Sequence, residues 1–352
     1  MGNLTNTISI EAPYLIFVGD VTQRMFAKTG LGLVEWVPEK CAGQLRLTED
    51  AVDIGLPDMR ISDALAAGVR TLVIGTAAIG GGVPEHWLSI FVEAARAGLS
   101  VAGGMHSRLR DNPQLAEAAA SSGARLIDVR DPPAGLPVGT GKKRKGRRLL
   151  TVGTDCALGK KYTALQLERD MRAAGKNATF RASGQTGIMI SGQGLPIDAV
   201  VADFISGAAE TLSPVNDPLH WDVIEGQGAL HHPGYGAVSY GLLLGSQPDA
   251  IVVCHEAGRT HITGWPHVTL PEIGEVIASS LAAGRQVNPE IRCVGISVNT
   301  SSLPDTVRAG YLARLSEKYG LPCVDPLIGG TGAIVSRIER EFPAAYASGA
   351  LE

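Results

Sequence analysis

The chain has 352 residues, 45% of them hydrophobic and 19% charged, with a formal net charge of −4. This is ample material for buried cores, favours two domains over one, and shows no compositional sign of disorder. The slight acidity argues against a dedicated nucleic-acid binder, and no apolar run reaches the roughly 18 residues of a membrane span.

The opening "MGNLTNTISIEAPY" lacks the basic start and apolar centre of a secretory signal. The five cysteines (Cys41, Cys156, Cys254, Cys293, Cys323) are scattered and form no C-x-x-C pair, which disfavours a disulfide framework or structural zinc. The expectation is a soluble cytoplasmic protein with no nucleic-acid or membrane partner and no bound metal. A homo-oligomer is expected only because such assemblies are common.

In chain order, β-rich runs alternate with helical stretches, the pattern of parallel α/β domains. "YLIFVG" (14–19), "TLVIG" (71–75), "SVAGG" (100–104) and "RLIDV" (125–129) read as buried strands. Helices are expected at 85–98 and 112–123, each closed by a glycine suited to a C-cap. "GTAAIGGGVPEHW" (75–87) and "GGMHSRLRD" (103–111) are glycine-rich strand ends, and His106 in the second reads equally as a residue facing a cleft between domains or as a satisfied structural histidine. No G-x-G-x-x-G occurs anywhere, so a dinucleotide oxidoreductase is disfavoured.

The Pro/Gly-rich run "PPAGLPVGTGKKRKGRR" (132–148) interrupts this pattern. It places one α/β domain over 1–137, a basic linker over 138–147 and a second α/β domain over 148–352. Arg147 or Arg148 could also help to hold a ligand phosphate. Strands then resume at 148–152, 177–182, 221–225, 250–254, 292–298 and 322–326, with the clearest helix at 160–175.

"VGTDCALGKK" (152–161) lies between the first strand of the second domain and that helix. A helix N-terminus offers free N–H groups and a partial positive charge to an anion, and Gly153 and Gly159 let the backbone curl around it. The phosphate-loop pattern G-x-x-x-x-G-K-[ST] is broken by Lys161, which stands where a hydroxyl normally holds Mg²⁺. Lysine is no metal ligand, and Thr163, two residues on, is turned away. Two adjacent lysines suit a pyrophosphate that does not react, the requirement of coenzyme A. The cofactor-binding candidates are therefore Gly153, Thr154, Asp155, Cys156, Gly159, Lys160, Lys161 and Tyr162.

"EGQGALHHPGYG" (225–236) follows another strand, on the edge where open α/β sheets bind ligands. Glu225 is read as a base or as a residue aligning the phosphate loop, and His232 as a general acid/base or donor. Asp203, in "VVADFISGAAE", is a second base candidate at an expected strand end. Arg259 and Arg181 are the cations available to the carboxylates of a substrate.

The loop "GTDCALGK" resembles the phosphate loop of dethiobiotin synthetase, an ATP-dependent enzyme. So do "FRASGQTG" (180–187), "VIEGQGAL" (223–230) and "GISVNT" (295–300). The resemblance implies a P-loop NTPase-like fold, substrate contacts at Gln185, Thr186 and Gln227, and adenine recognition at Asn299. More broadly, the chain resembles a two-domain family whose characterised bacterial members are D-glutamate N-acetyltransferases. "GLPDMRISDALAAG", "GTAAIGGGVPEHW", "VGTDCALGKKYTA", "ASGQTGIMISGQG" and "EGQGALHHPGY" carry that likeness. It implies an N-terminal Rossmann-like domain, the P-loop domain, acetyl-CoA as co-substrate and an acidic amino acid, D-glutamate first, as acceptor of the acetyl group. Two alternatives stand beside it: an ATP/Mg-dependent ligase or kinase, and a non-catalytic nucleotide- or CoA-sensing module.

Overall fold

The computed structural model describes residues 7–76, 83–105 and 107–343. They form two compact units: Thr7–Pro133 with Gly184–Ala199, and Ala134–Ser183 with Val200 onwards. No helix among the described residues is long and apolar enough to cross a membrane.

The first unit is built on five parallel strands: β1 (Tyr14–Gly19), β2 (Cys41–Arg46), β3 (Thr71–Ile74), β4 (Ser100–Gly103) and β5 (Leu126–Asp128). They lie in the order β2-β1-β3-β4-β5. Strand β1 is buried along its whole length, which explains its unbroken apolar run, since a parallel sheet covered on both faces has no polar side. Its helices before residue 133 are α1 (Lys28–Trp36), α2 (Ile61–Ala66), α3 (Glu85–Arg96) and α4 (Pro113–Ser122), and the returning segment adds a short one, Gln185–Ser191. Helix α3 buries Trp87, Phe91 and Ala95, spaced three or four residues apart as one helical face requires. Phe91 and Trp87 meet Phe17 of β1 edge-on, with ring centroids 4.8 and 5.3 Å apart. Helix α4 begins where Asn112 accepts the Leu115 N–H and ends at Gly123 with φ 78°.

The second unit holds six parallel strands: β6 (Arg147–Gly153), β7 (Ala178–Arg181), β8 (Trp221–Ile224), β9 (Ala250–Glu256), β12 (Arg292–Asn299) and β13 (Cys323–Val324). A separate two-stranded hairpin, β10 (His261–Ile262) and β11 (Trp265–Thr269), follows β9. The sheet order is β13-β12-β9-β6-β8-β7, so all six carboxyl ends share one edge, with β6 near the middle. Helices α5 (Lys160–Ala173), α6 (Ile205–Leu212), α7 (Gly236–Ser246), α8 (Ile273–Gly284), α9 (Asp305–Tyr319) and α10 (Gly332–Glu341) complete it. The start of α5 is fixed by Gly159, whose φ of 101° a side chain would strain.

The basic run takes no part in holding a phosphate at the loop. Arg148 is fully buried in β6, where Nε donates to Ser213 Oγ at 2.9 Å and the terminal nitrogens donate to the carbonyls of Arg144, Lys145, Gly146 and Pro214. Arg147 sets its guanidinium over the rings of Trp221 and Phe342. Both residues sit at the amino end of β6, and five residue steps along the strand separate Arg148 from Gly153, about 17 Å.

Candidate functional site

The loop 154–159 leaves β6 and enters α5 without a hydrogen-bonded turn. Among the described residues, no acceptor takes the backbone N–H of Ala157, Leu158, Gly159 or Lys160. Ala157 (φ 54°) and Gly159 both adopt left-handed backbone, which bends successive amides into a concave cradle. Four open donors at the head of a 14-residue helix form a site for an anion.

Lys160 is buried, and its Nζ donates to the Asp155 carbonyl at 2.7 Å. Burial pushes its amine below the ordinary lysine range, so an arriving anion would relieve a desolvated charge. Lys161 is half-buried, its Nζ 4.3 Å from the centre of the Tyr162 ring. Thr163 points inward, with Oγ1 2.8 Å from Ser297 Oγ and 3.5 Å from Cys254 Sγ. No hydroxyl stands where a phosphate loop would offer one to Mg²⁺.

Asp155 gathers this edge together. Its Oδ1 accepts the Cys156 N–H at 2.6 Å, and its Oδ2 accepts the Thr263 N–H and Arg259 Nη1, each at 2.8 Å. Burial alone would raise its carboxyl, but the hydrogen bonds from Thr263, Cys156 and Arg259 outweigh that and hold it below the ordinary value. Thr154 Oγ1 pairs with His255 Nδ1 at 3.2 Å, and the Thr154 N–H donates to Cys254 O. Gly153 lies against Cys254 O, where an added Cβ would come within 3.1 Å.

Arg259 is not free for a substrate. Its Nη1 also donates to Cys156 O and Thr263 Oγ1, both at 2.8 Å, and Nη2 donates to Glu256 Oε2 at 2.5 Å. Arg181 is buried, and its Nε donates to Asp222 Oδ1 at 2.8 Å. Both arginines expected to meet substrate carboxylates therefore close internal ion pairs. Asp203 also departs from expectation. It is exposed, in a single 3-10 turn (Ala202–Phe204) leading into α6, and no strand ends there.

His232 is buried between aromatic rings, with Tyr235 at 4.5 Å and Trp265 at 4.6 Å between centroids. Its Nδ1 accepts the N–H groups of Gly234 and Tyr235 at 3.1 and 3.2 Å. The ring proton therefore sits on Nε2, which has no partner among the described residues and lies 3.9 Å from Asp155 Oδ1. With two donors on Nδ1, the ring presents an N–H rather than a lone pair at Nε2, a geometry that suits a hydrogen-bond donor better than a base. Asp155, Cys156 and His232 bring ligand-type atoms within 4.8 Å of one another. A metal-binding histidine donates from its second nitrogen, whereas this one faces two donors, so the group does not suit a metal ion.

Glu225 is buried and accepts the Ser183 N–H at 3.0 Å, while Ser183 Oγ donates to Glu225 O and accepts from Gln227 Nε2 at 2.9 Å. These contacts join the ends of β7 and β8. The next residue, Gly226, admits no side chain, because a Cβ would fall 1.7 Å from Thr151 O and 3.1 Å from Lys160 Cδ. Asn299 ends β12, and its Oδ1 caps the Ser301 N–H at 3.0 Å. Beyond it a cavity of about 470 Å³ is lined by Thr300, Arg308, Leu312, Val324, Asp325 and Ile328. Gln185 and Thr186 begin a short helix (Gln185–Ser191) of the first unit, where Gln185 packs against Gly104. The phosphate loop belongs to the second unit. His106 lies outside the described residues.

Two family models cover most of the chain, both described as domains of unknown function: a DUF1611 Rossmann-like N-terminal domain over residues 39–132 and a DUF1611 P-loop domain over 137–335. The chain is 44% identical over 329 residues to a D-glutamate N-acetyltransferase of Tritonibacter scottomollicae, covering 94% of this chain and 99% of that one. It is 45% identical over 331 residues to a D-glutamate N-acetyltransferase of a Pseudoalteromonas species, covering 94% and 100%. A crystal structure of a DUF1611 family protein from Anabaena variabilis matches with a TM-score of 0.80 at 32% identity, over 94% of this chain and all of that one.

Proposed function

The chain belongs to the DUF1611 family and is an acyltransferase enzyme, and from that premise we propose that it moves an acetyl group from acetyl-CoA to the amino group of an acidic amino acid, D-glutamate first. D-Amino-acid breakdown is the corresponding role. The observation that carries the choice of donor is the cradle of unbonded amides above Lys160, with no hydroxyl in the metal-ligating position. It supports a bound pyrophosphate that stays intact, because phosphoryl transfer depends on a metal to neutralise developing charge. The cavity past β12 and β13 opens on the same edge, two to three strands from β6 and so roughly 10–14 Å away. That is within reach of the adenosine end of a CoA whose pyrophosphate lies on the loop.

An amino acid's ammonium must lose a proton before its nitrogen can attack a thioester carbonyl. The new C–N bond forms, the C–S bond breaks, and the CoA thiolate takes up one of the two protons that the nitrogen gives up. Loop amides or a lysine would stabilise the oxyanion in between.

A thermal-shift series with CoA, acetyl-CoA, ATP–Mg²⁺ and NAD tests the donor, since a ligand of the native state alone raises its melting temperature. Stabilisation by CoA and acetyl-CoA is expected, together with thiol release that depends on D-glutamate. Stabilisation by ATP–Mg²⁺ without any by CoA would favour the ligase reading. CoA binding with no acyl transfer to any amine would favour a sensing module.

A further inference from the structure

The cavity past β12 and β13 is lined by one cation among the described residues, Arg308, in the first turn of α9. Its volume of about 470 Å³ is that of a small-molecule site, and Leu312, Val324 and Ile328 give it apolar walls. Such walls suit a flat heterocycle, which leaves Arg308 to meet whatever charge the ligand carries.

Arg308 is tethered. Its Nε donates to the carbonyls of Thr300 at 3.2 Å and Leu303 at 3.1 Å. Thr300 directly follows β12, so the guanidinium is fixed at the carboxyl edge of the sheet. Nη1 lies 2.7 Å from Asp305 Oδ1, but the Asp305 side chain is 87% exposed, and an exposed pair of this kind holds loosely. Nη2 takes no hydrogen bond among the described residues. A guanidinium keeps its charge at any working pH and offers a fork of N–H groups that matches a phosphate. The second carboxylate at the cavity, Asp325, is already engaged. It is buried, Oδ2 accepts from the Thr300 N–H and Oγ1, and Oδ1 accepts the Leu327 N–H.

The sheet sets the distance from this arginine to the phosphate loop. Ser297 of β12 and Gly153 of β6 both stand level with Cys254 of β9, two strand spacings or about 10 Å apart. Thr300, which anchors Arg308, comes three residues after Ser297, and loop and cavity belong to one compact unit. In coenzyme A the pyrophosphate hangs from the 5′ carbon of a ribose and a phosphomonoester from the 3′ carbon of the same sugar. With the pyrophosphate on the loop amides and the adenine between the apolar walls, the monoester is the group still to be placed. It carries close to two negative charges at neutral pH.

We infer that Arg308 receives the ribose 3′-phosphate of coenzyme A, displacing Asp305, and so makes the protein select coenzyme A over its dephosphorylated form. The inference rests on the reading of CoA as donor. No bond is made or broken in this step: Arg308 is a binding and specificity residue. Asp305 holds the cation in place until the phosphate arrives and competes with it.

Calorimetric titration of the full chain with CoA, dephospho-CoA, adenosine 3′,5′-bisphosphate and AMP tests this. The wild type should bind CoA about ten- to a hundredfold more tightly than dephospho-CoA, and the bisphosphate more tightly than AMP by a similar factor. Arg308→Gln should bring CoA down to the affinity of dephospho-CoA and leave dephospho-CoA itself unchanged, whereas a merely structural arginine would weaken both alike. Asp305→Asn should tighten CoA by up to about fivefold with no effect on dephospho-CoA. Equal wild-type affinity for CoA and dephospho-CoA overturns the inference and leaves the donor reading standing. An equal loss for both ligands in Arg308→Gln, or weaker CoA binding in Asp305→Asn, overturns it too. If Arg308→Gln does not fold, the wild-type ratios and Asp305→Asn decide. A wild type that binds neither CoA nor acetyl-CoA overturns the donor reading and this inference together.

Discussion

Lys160 is the residue at which stability and binding pull apart. A buried ammonium whose hydrogen bond among the described residues goes to a carbonyl costs the ligand-free protein free energy that an anion would recover. Lys160→Met should therefore raise the melting temperature without ligand and abolish the shift produced by CoA. Because burial lowers this amine, the stability gap between variant and wild type is fully present below the depressed value. It closes as pH rises towards the ordinary lysine range. Equal melting temperatures at neutral pH would show that the amine is better solvated than its burial implies. Asp155 carries the opposite sign. Its carboxyl is depressed, so its contribution is present above the ordinary carboxylate value and lost as pH falls through the folded one. Asp155→Ala, which leaves the Thr263 N–H without its acceptor and takes one of two carboxylates from Arg259, should cost about 1–3 kcal/mol in denaturant unfolding.

Among the elements, the turn after β8 has the least freedom. Gly226 passes so close to the end of β6 that a Cβ would overlap Thr151 O, and backbone cannot yield as a flexible side chain can. Gly226→Ala should destabilise by more than the 1–3 kcal/mol or so usual for overpacking, and reduce CoA binding through displaced Lys160. An unchanged denaturation midpoint would mean that the two strand ends part without cost. Most strands were legible in the sequence, because buried parallel strands such as β1 and β9 appear as unbroken apolar runs. Strand β2, "CAGQLR", was not. It is an edge strand buried only at Gly43, Gln44 and Leu45, and it has no β-branched residue. The loop after β6 was equally legible, since its glycines and lysines announce a turn and a charge. The partners of the arginines were not. Nothing local in "FRASG" tells that Arg181 meets Asp222, 41 positions along the chain.

For the whole molecule, the informative fact is that the chain enters the first unit twice. Residues 184–199 return to it after β6, α5 and β7 have been laid down in the second. The returning segment is bonded into place. Gln193–Gly194 pairs antiparallel with Ile8–Ser9, and Lys40 Nζ donates to the carbonyls of Ile190 and Ser191 at 3.1 and 2.8 Å. A fragment cut at residue 137 should therefore melt lower, by circular dichroism, than the same fragment with 184–199 joined by a flexible linker. Identical melting curves would show that the returning segment adds nothing to the unit's stability.

That double entry also sets a schedule. A ribosome adds about 5–20 residues per second, so several seconds pass between synthesis of Pro133 and of Ala199. Throughout that interval the nascent first unit has its five strands but not the piece that pairs with Ile8–Ser9 and accepts from Lys40. An exposed strand edge is a template for joining other chains, so this is the window in which neighbouring copies on one messenger can pair wrongly. Slow codons placed between residues 134 and 199 would lengthen it, and slow codons before residue 134 or after residue 199 would leave it untouched.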